Sequence, residues 1–399
     1  MDTTIKVLVV DDSYFMRKVI RQILELDDQL KVVGTSNNGA DCLKKIKLLR
    51  PDVVTLDIDM PGMSGMSVIR HIMIQSPVPI VVFSSLFCYG DVTFEALQLG
   101  VVDFVPKPSG MLFEDKDRLH NMIIDRVKNA SGVNLSNIRR ANIRPKGMKR
   151  QAFSYADPPE LKKFITVGAG LSGTNSVIRL LAQLSPTLPC AMVALLEIAP
   201  QVLPAFVQKF NQCVPWRIVL IEEGQHIEPG VCYIGSTKDT LCVDLDRRGV
   251  PYIKKEEKVS DPLNTLFKSS ADSFHENTVG VLLNGLGGDG AAGFLRIKAR
   301  RGVTIALQTN CCVFPNLTQN AIDNGAVTQV VDECRLHEAI ETIVAPTKRE
   351  KPKKRYGTAR ALTQRFNLQA ISLQTTAYSS AADDFQNYIA NLLTAALTR

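Results

Sequence analysis

Residues 6–12 read KVLVVDD, and four further short apolar stretches follow along the chain: KVVGTS at 31–36, DVVTLDI at 52–58, PIVVFSS at 79–85 and VDFVPKP at 102–108. Amphipathic stretches such as Tyr14–Glu25 and Gly39–Leu49 lie between them. Short apolar strands that alternate with helical segments are typical of a parallel sheet covered by helices on both faces. Residues 6–108 are therefore predicted to form an α/β domain of doubly wound type.

Polar residues end four of these five predicted strands. Asp11 and Asp12 end the first strand, Asp57 the third, Ser84 the fourth and Lys107 the fifth. Ligand sites in parallel sheets gather at the carboxyl ends of the strands, so these side chains should converge on one edge. The sequence thus predicts a polar site built from separate strands.

The residue types at this edge suit a divalent cation and a phosphoryl group. Three adjacent carboxylates raise one another's pKa unless a cation joins them, and magnesium prefers oxygen ligands. Lys107 could neutralise a phosphoryl oxygen, and Ser84 could donate a hydrogen bond to it. Alternatively, Asp12-Ser13 could be a helix N-cap and Lys107-Pro108 a turn. All five residues at the expected strand ends favour the metal and phosphoryl site.

This segment resembles the receiver domain of two-component response regulators. The resemblance lies in KVLVVDDS at 6–13, PDVVTLDIDMPGMSG at 51–65, VFSS at 82–85 and LGVVDFVPKP at 99–108. It implies a flavodoxin-like βα sandwich that a histidine kinase of chemotaxis type phosphorylates. The implied site residues are the phosphoacceptor Asp57, the magnesium ligands Asp11, Asp12 and Asp57, and the switch residues Ser84, Phe104 and Lys107.

Length and composition indicate more than one domain in a cytoplasmic protein. A chain of 399 residues exceeds one ordinary core, and its 45% hydrophobic and 22% charged content is typical of globular proteins. No apolar run is long enough to span a bilayer, and the N-terminus MDTTIKVLVVDD is unlike a signal peptide. Nine cysteines without a CxxC pair fit reduced thiols rather than disulfides or a zinc site.

The net charge of +7 marks linkers rather than a nucleic-acid surface. Residues 126–150 hold eight Lys and Arg, and residues 346–361 hold seven, while both stretches lack periodic apolar residues. We therefore predict a receiver at 1–125, a basic linker at 126–160, a second domain at 161–345, and a basic linker with an amphipathic helix at 346–399. No nucleic-acid partner and no membrane insertion are expected.

The second domain also alternates strands and helices. KKFITV at 162–167 leads into GAGLSGT at 168–174 and a predicted helix, and CAMVALLE at 190–197 reads as a buried strand. The domain resembles the catalytic domain of the protein-glutamate methylesterase (CheB) family, most clearly in EEGQHIEPGVCYIG at 222–235, LLNGLGGDGAAG at 282–293 and NGAV at 324–327. The resemblance implies a doubly wound, mostly parallel α/β sheet carrying a Ser-His-Asp triad.

Two members of that triad are missing. Gly170 occupies the position of the family's nucleophilic serine, Glu197 that of its histidine, and Asp289 alone remains as the triad acid. Ser172 lies two residues from the lost nucleophile, but we expect it to cap the following helix. A chain without nucleophile and base loses ~10⁶-fold of the rate in such triads.

These residues suggest an output domain that has the methylesterase fold and acts by binding a partner when Asp57 is phosphorylated. The partner would be a methyl-accepting chemotaxis receptor or another signalling protein. The enzymatic alternative is an active or repurposed protein-glutamate methylesterase and protein-glutamine glutaminase.

A third alternative is dinucleotide binding. Residues 168–173 read GAGLSG, a GxGxxG between a predicted strand and a helix, and Glu197 ends the next strand. Such glycines permit a tight turn around a pyrophosphate, and an acid at that distance binds a ribose hydroxyl. Because the surrounding sequence resembles the methylesterase family, we rank this alternative lower.

Overall fold

The computed structural model describes residues 4–84, 90–107, 116–133, 137, 161–257 and 261–345. The predicted C-terminal amphipathic helix and most of both basic linkers lie outside these residues. Residues 1–345 form one compact unit, which contains both predicted domains. No helix in the described ranges is both long and apolar enough to cross a membrane.

The N-terminal domain is a five-stranded parallel sheet with helices on both faces. Its strand order is β2-β1-β3-β4-β5, the order of flavodoxin-like folds. The elements are β1 (Ile5–Val10), α1 (Tyr14–Leu24), β2 (Leu30–Ser36), α2 (Gly39–Leu49), β3 (Val53–Asp57), α3 (Gly65–Gln75), β4 (Ile80–Ser84), α4 (Gly90–Leu99), β5 (Asp103–Pro106) and α5 (Lys116–Ser131).

Local sequence signals set the helix starts in this domain. Ser13, Asn38 and Ser64 stand at the N-caps of α1, α2 and α3, and each side chain accepts a hydrogen bond from a backbone N–H of the first turn. Helix α5 continues through Ser131, six residues into the stretch that composition assigned to the linker. The basic residues of that stretch therefore begin on a helix.

The second domain contains a seven-stranded parallel sheet and a separate hairpin. The sheet order is β14-β13-β12-β6-β7-β9-β8, and β10 pairs with β11 antiparallel. The elements are β6 (Lys163–Ala169), α6 (Thr174–Gln183), β7 (Cys190–Leu196), α7 (Leu203–Cys213), β8 (Arg217–Leu220), β9 (Val231–Ser236), β10 (Thr240–Leu245), β11 (Pro251–Glu256), α8 (Pro262–Phe274), β12 (Thr278–Leu282), α9 (Ala291–Ala299), β13 (Val303–Leu307), α10 (Asn316–Asp323), β14 (Gln329–Val331) and α11 (Leu336–Val344).

The two domains share buried apolar side chains. Phe94 of α4 packs against Phe206 and Phe210 of α7, with ring centroids 5.4 and 5.7 Å apart. In the opposite direction, Leu171 and Phe314 of the second domain join a core cluster of the first. The carboxyl ends of β6 and β7 are therefore covered by the N-terminal domain.

Candidate functional site

The carboxyl edge of the first sheet carries the predicted acidic cluster. Asp57 is the last residue of β3, and Asp11 follows β1 directly; both are buried, while Asp12 is exposed. One carboxylate oxygen of each of the three lies within 4.8 Å of the others. The structure thus brings together the residues that the sequence placed at one edge.

Lys107 completes this cluster from the end of β5. Its Nζ lies 2.8 Å from Asp11 Oδ2 and 2.7 Å from Asp57 Oδ2. Burial alone would lower the pKa of Lys107, but the two carboxylates outweigh it and raise the pKa. Burial raises the pKa of Asp11, although Lys107 and the backbone N–H of Ser13 oppose that effect.

The other two predicted switch residues lie on the same part of the sheet. Ser84 ends β4, and its carbonyl oxygen accepts a hydrogen bond from the backbone N–H of Lys107 at 3.1 Å. Phe104 lies on β5 and packs, half-buried, against apolar clusters of both domains. Phe104 therefore contacts the second domain, so a change in the conformation of β5 would alter a contact between the two domains.

The cluster fits a hard divalent cation. Three carboxylates with one ammonium leave two uncompensated negative charges at a partly buried edge. Magnesium bound by one or two such carboxylates retains waters and bridges to phosphate oxygens. Asp11, Asp12 and Asp57 are the residues that would hold it, and the ion would supply positive charge to a phosphoryl group.

Gly170 and Glu197, the positions predicted to have lost the nucleophile and the base, are neighbours in the second domain. Gly170 follows β6, and Glu197 follows β7, the adjacent parallel strand. A Cβ placed on Gly170 would lie 3.5 Å from Glu197 Oε2 and 2.8 Å from the Cα of Gly285. Side chains at positions 170 and 197 would therefore be close enough to touch, but the backbone of Gly285 closes over position 170.

Asp289, the predicted triad acid, accepts hydrogen bonds from the start of a helix. Its Oδ2 accepts from the backbone N–H of Leu263 at 2.8 Å, and its Oδ1 accepts from Asn264 at 2.9 Å. Burial raises the pKa of Asp289, and the backbone hydrogen bonds act in the opposite direction. In this arrangement the carboxylate accepts from backbone N–H groups of the first turn of α8, which have no partner within the helix. This contribution to the structure is independent of catalysis.

The expectation that Ser172 caps α6 is wrong. The N-cap residue is Gly173, and no side chain accepts a hydrogen bond there. Ser172 has a left-handed backbone with a φ of 64°, a conformation that residues other than glycine rarely adopt. Among the described residues, its buried Oγ has no hydrogen-bond partner.

Arg126 is a functional candidate that the sequence reading missed. Its Nη1 lies 2.8 Å from Glu197 Oε1 and 3.0 Å from Asp103 Oδ2 of β5. Burial raises the pKa of Asp103 to about 6, with Arg126 opposing that rise. Burial would lower the pKa of Arg126, but Asp103 and Glu197 outweigh it and raise the pKa. The one sequence signal that could have pointed to Arg126 was Glu197, an acidic residue at the position that the resemblance assigns to a histidine.

A cavity of about 480 Å³ separates the two domains beside these residues. Its wall is mostly apolar, and it includes Ser172, Glu197 and Arg126. The cavity therefore borders Glu197, and helix α5 of the first domain forms one side of it.

The turn invoked by the dinucleotide alternative is packed against the first domain. Leu171, in the middle of the GxGxxG, is buried in a cluster of the first domain, and Asn175 donates a side-chain hydrogen bond to the carbonyl of Leu97. A Cβ on Gly173 would lie 2.7 Å from the carbonyl oxygen of Asn284. The glycines allow close backbone packing, and the start of α6 is covered rather than exposed to a pyrophosphate.

Comparison with protein families identifies both domains. Residues 7–123 match the response regulator receiver domain, and residues 165–340 match the CheB methylesterase. A protein-glutamate methylesterase/protein-glutamine glutaminase of Pyrococcus horikoshii is 32% identical over 86% of this chain and 94% of its own length. One of Halalkalibacterium halodurans is 32% identical over 88% of this chain and all of its own.

Among solved structures, the response regulator domain of Thermotoga maritima CheB is 37% identical, with a TM-score of 0.31, over 33% of this chain and 98% of that one. Three observations agree on the family: the strand orders, the acidic edge, and the two relatives that match over nearly their full lengths. The chain therefore belongs to the family of protein-glutamate methylesterases/protein-glutamine glutaminases, in which a receiver domain precedes a CheB methylesterase domain.

Proposed function

We propose that this chain is a chemotaxis-type response regulator whose output domain binds a partner protein instead of hydrolysing esters. Asp57 accepts a phosphoryl group from a histidine kinase, with magnesium held by Asp11, Asp12 and Asp57. The phosphorylated chain then engages a methyl-accepting chemotaxis receptor or another signalling protein in the cytoplasm.

The observation that supports a non-catalytic output domain is the state of Glu197. This residue stands in the base position of the triad, and its carboxylate pairs with Arg126 at 2.8 Å. A carboxylate held by a guanidinium is not free to take the place of an imidazole as a proton shuttle. Position 170 offers no side chain to attack an ester carbonyl.

Phosphorylation tests the receiver half of this proposal. In the transfer, the bond from phosphorus to the acetate oxygen of acetyl phosphate breaks, a bond to a carboxylate oxygen of Asp57 forms, and acetate leaves. We expect Mg²⁺-dependent incorporation of the phosphoryl group that Asp57→Asn abolishes. Asp59→Asn is the matched control, because its exposed side chain lies two residues away. Equal labelling of the Asp57→Asn variant would refute the assignment.

Methanol release tests the proposal that the output domain does not hydrolyse methyl esters. We expect the phosphorylated full-length chain to release no methanol from methylated chemoreceptors above background, since the loss of nucleophile and base removes ~10⁶-fold of rate. The Pyrococcus horikoshii relative, assayed in parallel, is the positive control for the substrate.

One observation favours repurposed hydrolysis as a second candidate. The buried, unpartnered Oγ of Ser172 lines the same cavity as Glu197. Ser172 would then be the nucleophile, and its position on a strained strand-to-helix turn resembles a nucleophile elbow. Methanol release by the unmodified chain that Ser172→Ala abolishes would establish this function and exclude the non-catalytic one.

A further inference from the structure

Arg17 on α1 bonds the backbone of the acidic pair, Asp11 and Asp12. Its Nη1 donates to the carbonyl oxygen of Asp11 at 2.7 Å and to that of Asp12 at 2.9 Å. The backbone N–H of Arg17 donates to the carbonyl oxygen of Ser13 at 3.1 Å. Arg17 therefore spans the turn between β1 and α1, and its guanidinium fixes two successive peptide groups of that turn.

The two carboxylates of the acidic pair are held in different ways. Asp11 is buried, its Oδ1 accepts from the backbone N–H of Ser13 at 2.8 Å, and its Oδ2 pairs with Lys107 at 2.8 Å. The carboxylate of Asp12 is exposed, and none of the residues that the structure describes donates a hydrogen bond to it. The direction of the Asp12 carboxylate is therefore set by its own backbone, which Arg17 holds.

Tyr14 holds the guanidinium from the other side. The Cζ of Arg17 lies over the ring of Tyr14, 5.7 Å from the ring centroid. Tyr14 is 75% exposed, so its ring contributes little to the core of the domain. An arginine that stacks on an aromatic ring keeps its planar set of donors in one orientation. The exposed ring thus restricts the orientation from which Arg17 donates to the turn.

The positive charge of Arg17 should have the opposite effect on a bound cation. The guanidinium is bonded to the backbone of two residues that would hold magnesium, and like charges repel. Loss of this charge alone would tighten Mg²⁺ binding, whereas loss of the backbone contacts would weaken it. The sign of the change in affinity therefore separates a positioning effect from a charge effect.

We propose that Arg17 is a positioning residue for the magnesium site, which orients the Asp12 carboxylate through the backbone and is itself held by Tyr14. Residues that orient metal ligands from outside typically change metal affinity by about 10- to 100-fold when they are replaced. Arg17 acts through the main chain, so we expect the lower end of that range. This inference rests on the metal site proposed above at Asp11, Asp12 and Asp57.

A Mg²⁺ titration of the unphosphorylated full-length chain by calorimetry tests the role of Arg17. Arg17→Met keeps an unbranched stem and removes the guanidinium, and we expect it to bind Mg²⁺ about tenfold more weakly although it has one positive charge fewer. Lys18→Met is the matched control, because Lys18 is the next residue on α1 and is exposed. This control loses the same charge and should bind Mg²⁺ at least as tightly as the wild type.

The role of Tyr14 is tested in the same titration. Tyr14→Leu removes the ring under the guanidinium and should weaken Mg²⁺ binding by a smaller factor than Arg17→Met. Phe15→Leu is the matched control, because it removes the neighbouring exposed aromatic side chain on the same helix and should bind Mg²⁺ as the wild type does.

The Mg²⁺ dependence of labelling by acetyl phosphate distinguishes positioning from damage to the fold. Arg17→Met should need about tenfold more Mg²⁺ for half-maximal labelling and should reach the wild-type maximum at saturating Mg²⁺. A damaged receiver would instead lower the maximum. Arg17→Lys keeps a donor and the charge on a shorter stem, so it should recover part of the lost affinity, and it replaces Arg17→Met if that variant does not fold.

Mg²⁺ binding by Arg17→Met as tight as that of the wild type, or tighter, would overturn the proposal. Equal weakening in Lys18→Met would overturn it too, because the effect would then belong to charge on α1 in general. A wild-type chain that binds no Mg²⁺, or an Asp12→Ala variant that binds it as the wild type does, would instead refute the metal site itself, and the role of Arg17 would fall with it.

Discussion

Glu197 illustrates how the chemistry of one position depends on the residue opposite it. A base in a triad must exchange a proton, whereas an ion-pair partner must keep its charge. The Nη1 of Arg126 lies 2.8 Å from Glu197 Oε1 and pairs with it. The acid at position 197 and the guanidinium of α5 therefore suit a structural contact better than a proton relay.

Asp103 should make folding stability depend on pH near neutrality. Its folded-state pKa of about 6 exceeds the unfolded value of 3.8, because burial disfavours the anion. Between these two values the folded state binds a proton that the unfolded state does not, so this group adds stability as the pH falls from 7 to 5. The gain is about 1 kcal/mol. Urea denaturation at pH 5, 6 and 7 measures it.

Asp103→Asn should remove that pH dependence. The free energy of unfolding of the wild type, relative to this variant, should therefore be larger at pH 5 than at pH 7. The exposed residue Asp244 supplies the control variant Asp244→Asn, which should follow the wild type at each pH. Parallel pH curves for the wild type and Asp103→Asn would show that the carboxyl group of Asp103 is not perturbed in the folded chain.

At the scale of elements, the sequence predicted the strands and the polar residues at their ends, because both depend on local sequence pattern. The apolar stretches at 6–12, 52–58 and 190–197 are strands because buried parallel strands are nearly continuous apolar runs. The polar residues that end them meet at one edge, since parallel strands share a direction. The acidic cluster with Lys107 was predictable for that reason.

Features that depend on distant contacts were not predictable. Arg126 belongs by composition to a basic stretch, and only packing of α5 on the output domain gives it two carboxylate partners. Ser172 has the residue type of a cap, but its backbone is left-handed and Gly173 takes the N-cap position. The hairpin of β10 and β11 was also missed, because it packs on α8 rather than joining the main sheet.

At the scale of the whole molecule, the receiver and the output domain behave as one packed body. Aromatic contacts between α4 and α7 surround the interface, and Asn137 donates a side-chain hydrogen bond to the carbonyl of Cys312 at 2.7 Å. An apolar interface of this kind favours the closed arrangement, so any output that needs the covered face must wait for it to open.

Rebuilding the predicted triad is the strictest test of whether the pocket can still support hydrolysis. From the sequence alone, Gly170→Ser with Glu197→His would be expected to restore hydrolysis, because Asp289 is present. The structure adds two obstacles. A Cβ on residue 170 would lie 2.8 Å from Gly285 Cα, so the backbone must move, and Asp289 is committed to the start of α8. Displacements of ~1 Å can cost ~10²-fold in rate.

We therefore expect the phosphorylated double variant to release methanol from methylated chemoreceptors no faster than Gly170→Ser or Glu197→His alone. The receiver should not cause this failure, since Glu197→His removes the carboxylate that Arg126 contacts and leaves Arg126 with Asp103 only. Release well above both single variants would mean that Gly285 yields and that the pocket keeps its catalytic geometry. Gly170 and Glu197, rather than a remodelled pocket, would then account for the loss of hydrolysis that we propose.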